Sequence, residues 1–337
     1  MKMESPVPLE CPDHRERLHP TDDGARYACR SGCSFPVVQG IPRFVPSTNY
    51  AASFGLQWNR YRKTQLDSFT GLAITRDRLT RLAGGSLEFL KGKSVLEVGC
   101  GAGRFTEILL ASGARVFATD ISDAVEANHA NCGGSPGYFV CQADLRSLPV
   151  APGQFDVVVC IGVVQHTPCP EDTIGILCAQ LKEGGLLVMD HYTYGYAVTA
   201  SRKWLRALLL RSPPAASLAM CRGLVAALWP VHRLLWRAKS VFPFGWLRRG
   251  WIRLSPVVDY HGSYPQLGPE LLKAWATLDT HDTLTDVYKH LRSREEIEEA
   301  LRRFGMERIE TAYAGNGVEA RARAPYKGSR QVPGDSA

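Results

Sequence analysis

Between residues 93 and 192 the chain repeats one pattern, a short apolar run followed by a helical segment, through "SVLEVG", "ARVFATD", "GYFVCQAD", "FDVVVCIG" and "GLLVMDH". The runs are nearly continuous rather than alternating, as expected of strands buried on both faces of a parallel sheet. Parallel strands need crossovers, and the intervening segments are long enough to be helices. The pattern therefore specifies a doubly wound α/β core. Further on, Ser293 and Glu296 form a capping-box pair that starts a helix, and Gly305 suits its end. "MERIETAY", "AGNG" and "VEARARA" then read as two strands about an Asn316-Gly317 turn.

The first run leads into "VLEVGCGAGRF", residues 95 to 105, with Gly99, Gly101 and Gly103 at alternate positions. Glycines there let the backbone turn sharply and approach a ligand, with helix N–H groups facing it. A dinucleotide fingerprint would place its third glycine one residue later, at position 104, which is Arg. With Glu97, with Asp120 ending the second strand and with Asp144 after "FVCQA", the pattern resembles the class I S-adenosylmethionine-dependent methyltransferases over residues 93 to 192 and the closing strands. That resemblance implies a seven-stranded Rossmann-like sheet and an enzyme using S-adenosyl-L-methionine. It also implies Glu97 near the amino end of the methionine moiety, and Gly99, Gly101 and Gly103 against its backbone. Asp120 would accept from the ribose hydroxyls with Ile121 beside it, and Asp144 would accept from the adenine amino group with Leu145 flanking the ring. "CIGVVQHTP" would border cofactor and acceptor, so His166 is expected to point toward the methyl group.

The sulfonium of such a cofactor is already activated, so alignment for in-line displacement does most of the work. A base is needed only for an acceptor that must lose a proton. Candidates are His166, His191, Asp279, His281 and Asp282, each of which could instead be a structural residue. Three of them lie in "TLDTHDTLTDVYKH", residues 277 to 290. A metal reading of that stretch would need His281, Asp286 and His290 to converge at a spacing that matches no metal motif. The reading preferred here is an acceptor-facing loop carrying Asp279, His281 and Asp282, with Asn316 and Glu319 approaching the same rim. The aromatic "HYTYGYAV" after the fifth run could clamp a ring or simply pack.

The first fifty residues hold Cys11 and His14, then Cys29 and Cys33, four zinc-ligand types in two short clusters. With "FPVVQGIPRF" they resemble a small Trm112-like zinc-ribbon module, departing from it in His14 and in the Cys29–Cys33 spacing. A structural zinc on Cys11, His14, Cys29 and Cys33, a site using His19 instead, and a module that no longer binds metal all remain open at the level of sequence. The other seven cysteines read as ordinary small core residues. The N-terminus has no apolar signal-type segment, which points to a cytoplasmic protein with reduced thiols.

The net charge of +7 is unevenly spread. From His191 to Val258 there is no Asp or Glu, while eleven Lys and Arg and five of the seven tryptophans fall inside that stretch. "SRKWLRALLL", "GLVAALWPVHRLLWRAKSVF" and "FGWLRRGWIRL" read as short amphipathic helices, suited to a lid over the acceptor, to peripheral contact with the inner face of a membrane through residues 200–255, or to an RNA surface. Arg222 and three prolines argue against a transmembrane span there. The organisation expected is a zinc-ribbon-like module (1–48), a helical lead-in (49–92), the cofactor-binding core (93–192), a basic helical insertion (193–292), a closing helix and hairpin (293–326) and a loose tail (327–337). The function expected is O-methylation of an amphiphilic or sugar-bearing small molecule in a biosynthetic pathway. RNA methylation and a non-catalytic cofactor-binding regulator or partner subunit are the alternatives.

Overall fold

The computed structural model describes residues 3–46, 49–194 and 199–326. The expected loose tail, and residues 195–198 of "HYTYGYAV", lie outside them. Four short antiparallel strands come first, His19–Pro20 (β1), Arg26–Ala28 (β2), Ser34–Val38 (β3) and Ile41–Pro42 (β4), followed by helices Ala52–Arg60 (α1), Asp67–Thr70 (α2) and Ile74–Leu82 (α3). The core then alternates Ser94–Val98 (β5), Arg104–Ala111 (α4), Arg115–Asp120 (β6), Ala124–Cys132 (α5), Tyr138–Gln142 (β7), Phe155–Cys160 (β8), Pro170–Ala179 (α6) and Leu181–Tyr192 (β9). Helices Ala200–Leu209 (α7), Pro214–Arg237 (α8), Phe244–Leu254 (α9) and Pro269–Thr285 (α10) form the insertion. Arg294–Arg303 (α11), Glu307–Ala314 (β10) and Gly317–Arg323 (β11) close the fold.

The large sheet has the order β10-β11-β9-β8-β5-β6-β7. Strands β5 to β9 are mutually parallel, and β11 runs antiparallel between β9 and β10. Every residue of β5 and β7 is buried, which is why those runs lack alternation. Phe117, Phe139 and Phe155 meet beneath one face, with centroids 5.0 and 5.8 Å from Phe117, and each such buried ring contributes about 1.5–3 kcal/mol. The chain leaves β5 toward β6 and β7, then returns to β8 on the other side. The crevice at the C-terminal ends of β5 and β8 is therefore the switch point where ligands of such sheets bind. The capping box on α11 forms as expected, with the Ser293 hydroxyl accepting from the Glu296 N–H and the Glu296 carboxylate accepting from the Ser293 N–H. The hairpin turn falls on Gly315-Asn316, one residue earlier than the sequence suggested.

The insertion is fastened from inside. Val225 and Trp229 of α8 pack with Leu272, Trp275 and Ala276 of α10, and the Trp275 indole N–H donates to the Thr64 carbonyl at 2.7 Å. Arg206 of α7 pairs with the fully buried Asp286 at 2.8 Å. Asp259 accepts from His232 and His261 at 3.0 and 2.8 Å. Burial alone would raise the Asp259 carboxyl, but these bonds hold it well below the usual carboxylate range. Helix α8 is long and apolar enough to cross a membrane by length and composition, although Pro230 lies within it. One face of it is taken up by this packing. The structure corrects one expectation here, because residues 277 to 285 are the last turns of α10 and not a loop.

The N-terminal module shares the core of the main sheet. Val7, Leu9, Leu18, Cys11 and Cys29 belong to the same buried cluster as Leu148 and Val150. Arg43 donates to Gln142 at 3.0 Å and pairs with Glu126 at 2.8 Å, and Phe44 N–H donates to the Gln142 carbonyl, so the module covers the β7 edge that would otherwise be open. Its ligand atoms converge. Those of Cys11, His14, Cys29 and Cys33 lie within 4.8 Å of one another, and His14 Nδ1 stands 3.7, 3.5 and 3.5 Å from the three sulfurs. A tetrahedral zinc with ordinary Zn–S and Zn–N bonds needs N···S separations of about 3.5 Å, so this set can hold the ion and leaves no open position. His19 lies on exposed β1 and is no part of the cluster. Metal analysis of the purified chain should find one zinc per molecule. Because the binding free energy of such a site is folding free energy, about 10–16 kcal/mol in isolated peptides, Cys29→Ser should lose the zinc and expose the module to proteolysis. Zinc-free wild-type protein that resists chelator and protease would contradict this.

Candidate functional site

A cavity of about 390 Å³ opens at the switch point. Its first wall comes from the loop after β5. Gly99 has φ +71°, and a Cβ there would overlap Val163; Gly101 has φ +49° and faces the Trp58 ring. Gly99, Gly101 and the neighbouring Ala102 line the cavity. Gly103, at φ +94°, lies behind it, where a Cβ would come within 3.0 Å of Cys132 Sγ, so this glycine allows α4 and α5 to approach. Glu97 also lies behind the wall. Its buried carboxylate accepts from the Thr106 hydroxyl at 2.6 Å, and burial pushes it up to about 8 against that bond.

Asp120 ends β6 in the cavity, as the strand pattern requires, with Ile121 beside it. One oxygen accepts from the Ser122 N–H and hydroxyl at 2.9 and 2.7 Å, and the other from the Gly101 N–H at 3.0 Å. A carboxylate has about four lone-pair sites, so room remains for a ligand hydroxyl. Burial raises this carboxyl against its bonds to Ser122 and Gly101, and a further donor would relieve that. Asp144 and Leu145 line the same end, together with Tyr50. Asp144 accepts from the Arg146 backbone N–H at 2.9 Å and pairs with its guanidinium at 2.6 Å. These residues fit a purine nucleoside carrying a short polar tail: glycine backbone, a carboxylate for vicinal hydroxyls, and apolar flanks.

The second wall is built by the insertion and the lead-in helices. Phe54 and Trp58 of α1, Arg78 of α3, and Tyr260, Tyr264 and Trp275 line it. On α10, Asp282 and Thr283 stand three and four residues after Asp279 and so flank its face, which lines the cavity. Tyr260 hydroxyl donates to Asp279, and burial, reinforced by Asp282, pushes the Asp279 carboxyl up to about 7. Burial also raises Asp282. His281 points the other way. It is fully buried, 2.6 Å from the Gln57 amide oxygen and 3.3 Å from the Ser217 hydroxyl, and burial pushes it down to about 4. The helical phase of α10 thus corrects the expectation that His281 faces the acceptor.

His166 lines the cavity, with Nδ1 3.1 Å from the Tyr288 carbonyl and 3.4 Å from Asp286. Burial would lower it, but bonding to Asp286 and the nearby acids raises it. His191 lies outside the lining, its Nδ1 2.8 Å from the Tyr192 carbonyl. Asn316 reaches the rim, whereas Glu319 forms a paired contact with Arg81 at 2.9 and 2.6 Å. His290 and Asp286 do not converge with His281 on any cluster of metal-ligand atoms among the described residues.

Several residues of the site were not singled out from sequence. Arg104 follows the glycine loop directly; it donates to Gln65 at 2.6 Å, lies over the Phe105 and Trp275 rings, and leaves a buried Nε without a partner. Burial, then the neighbouring Arg78, lowers it. Asp190, at the end of β9, accepts from the Gly162 N–H at 2.6 Å and pairs with Arg78 at 2.5 Å, fixing α3 over the crevice. Position 104 was visible in the sequence as an Arg in place of a glycine. Tyr260 and Tyr264 carried no periodic or motif signal.

Residues 96–189 match the family described as the methyltransferase domain. The ubiquinone biosynthesis O-methyltransferase of Coxiella burnetii is 38% identical over 101 residues, which are 29% of this chain and 43% of that protein. That of Bordetella bronchiseptica is 35% identical over 102 residues, 28% of this chain and 41% of that protein. The chain thus spans about two fifths of the length of the curated relatives it matches. A chain from the complex between the Haloferax volcanii Trm112 methyltransferase activator and a methyltransferase superposes with TM-score 0.44 and 14% identity, covering 81% of this chain and 98% of that one. The matched segment spans the glycine loop, Asp120, Asp144 and four of the five parallel strands in full or nearly so, and it makes residues 96–189 of this chain a methyltransferase domain.

Proposed function

We propose that the protein transfers the methyl group of S-adenosylmethionine to a hydroxyl of an amphiphilic small molecule in a biosynthetic pathway. The observation that carries this reading is that Asp279, bonded by Tyr260, shares one cavity with the glycine loop and Asp120. The two relatives named as O-methyltransferases support it over their shared segment. When bound, the cofactor supplies a methyl group on a sulfonium that departs as a neutral thioether. The chain's own residues supply the rest. Gly99 and Gly101 give backbone contact, Asp120 takes the ribose hydroxyls, and Ile121 and Leu145 flank the base. Arg104, with its buried unpartnered Nε, suits a carboxylate.

On the acceptor side, Phe54, Tyr264 and Trp275 offer flat apolar surface for an amphiphile. Asp279 takes the hydroxyl proton. A carboxyl raised to about 7 is poised for this at neutral pH, and such proton transfer contributes about 10²–10⁴-fold in rate. His166, held by Asp286 and the Tyr288 carbonyl, borders the reacting centre as a positioning group. The basic insertion keeps an RNA acceptor as the second reading, since a cation-rich, acid-free surface is what phosphates recognise.

Saturating S-adenosylmethionine should raise the melting temperature, a ligand at a hundred times its Kd contributing about 2.7 kcal/mol. Asp120→Ala should remove most of that rise; no rise in the wild type would sink the cofactor assignment. Supplied with labelled cofactor, the protein should label a small-molecule or lipid extract. Label in RNA alone would establish the second reading, and binding without transfer to any pool would favour a regulator. Once an acceptor is in hand, the wild-type rate should climb as pH rises through about 7 and level off above it, because only the deprotonated Asp279 can accept the proton. Asp279→Asn should lower kcat by about 10²-fold or more, abolish that rise and leave cofactor affinity unchanged. A variant that keeps the wild-type pH profile would remove Asp279 from the chemistry.

A further inference from the structure

The outer surface of the insertion leaves several large apolar side chains uncovered. Trp204 is 79% exposed, Phe242 92%, Trp246 68% and Leu254 71%. Helix α9 has no buried residue although it carries Trp246, Leu247, Trp251 and Leu254. On α7, Trp204, Ala207 and Leu208 are exposed at the spacing of one helical face, and the exposed Arg211 follows just past its end. The start of α7 is tied to the end of α9, since the Ser201 hydroxyl donates to the Leu254 carbonyl at 2.6 Å and Arg202 donates to the Pro256 carbonyl at 3.1 Å. The inner side of α9 is pinned by Arg248, which reaches Asp259 at 3.4 Å and lies 4.8 Å over the Trp236 ring. That anchoring fixes which side of α9 turns outward.

The same surface is strongly cationic. Lys203, Arg211, Arg249 and Arg253 are exposed among the apolar residues, in a stretch without a single Asp or Glu from His191 to Val258. Soluble surfaces seldom leave large rings uncovered, and rings interleaved with Lys and Arg suit the headgroup level of an anionic bilayer, where each basic residue near the surface contributes additional attraction. A nucleic acid would be served by the charge but gives no reason for the aliphatic Leu208, Leu247 and Leu254. A second copy of the chain would place cation against cation.

We infer that the exposed face of α7, α9 and the 239–243 connection is a docking surface for an anionic lipid bilayer, set beside the wall of the cavity. Arg202 lines the cavity, and Trp204 follows two residues later on the docking face. A lipid-dissolved acceptor thus has a short path from the bilayer to the second wall. The surface itself does not depend on the methyl-transfer reading.

The test uses the full chain and vesicles of phosphatidylcholine with and without phosphatidylglycerol. The wild type should sediment with the phosphatidylglycerol vesicles, release as salt rises, and show a blue shift of tryptophan emission on binding. The triple variant Trp204→Ala, Phe242→Ala, Trp246→Ala should lose at least about tenfold in vesicle affinity while its circular dichroism and its melting temperature stay those of the wild type. A second variant, Lys203→Glu, Arg249→Glu, Arg253→Glu, should lose the preference for phosphatidylglycerol. The inference is overturned if the wild type ignores anionic vesicles, if the apolar variant binds them as well as the wild type, if an RNA oligonucleotide binds more tightly than the vesicles, or if the wild type is a dimer that the apolar variant dissolves.

Discussion

Gly99 cannot carry a side chain, and much of the site follows from that. At φ +71°, with Val163 where a Cβ would stand, it turns the chain off β5 so that Gly101 N–H meets the Asp120 carboxylate from the neighbouring strand. The loop is thereby tied to the end of β6 before any ligand arrives. Val163 belongs to the loop after β8, so the same close approach brings the two sides of the switch point together. Glu97 and Gly103, one on each side of the loop, act behind the wall: Glu97 through Thr106 and Gly103 by bringing α4 onto α5.

Opposite this rigid loop the cavity wall depends on a single helix, α10. Its phase decides which polar side chains meet the acceptor. Asp279 and Asp282 fall on the cavity face, while His281 turns toward Gln57 and Ser217. The histidine then spends its two ring nitrogens in fastening α1 and α8 to α10, which is a packing role with a hydrogen-bond cost if it is lost. Two half-buried carboxylates side by side would repel, and Tyr260, Gln57 and the cations Arg104 and Lys289 offset that repulsion. Asp279, raised to about 7 in this setting, stays close to its titration at neutral pH, which is the condition a proton acceptor needs.

The parallel strands, the glycine loop and the acidic strand ends were legible because each follows from local rules: continuous apolar runs for two-sided burial, glycine for positive φ, and an acid at a strand's C-terminal edge. The capping box was legible for the same reason. The phase of α10 was not, since "TLDTHDTLTD" mixes threonines and acids without a clean apolar stripe, and ten of its helix's residues are buried only because α1, α7 and α8 surround it. Polarity was read as a loop where tertiary packing made a helix. Tyr260, Tyr264 and Arg78 were invisible for a related reason: they reach the cavity from segments far apart in sequence. The convergence of Cys11, His14, Cys29 and Cys33 was foreseeable in residue type, whereas the choice of His14 over His19 needed the turn after Cys11 to be seen.

The charge pattern of the insertion links its folding to its surface. A segment with eleven cations and no acids cannot satisfy its own inward-facing charges, so acids from the following segment must do so. Asp286 meets Arg206, and Asp259 meets Arg248, His232 and His261. Those few acids are buried and engaged by inward groups. Placing further acids in α7 or α9 would offer Arg206 and Arg248 alternative partners and loosen the docking of both helices. Keeping acids out of the segment therefore protects the internal pairings, and it leaves the outer side of α7 and α9 with a positive field that nothing in the same helices neutralises. The exposed rings sit within that field, so the arrangement that holds the acceptor wall in place also gives its outer face a charged and apolar character.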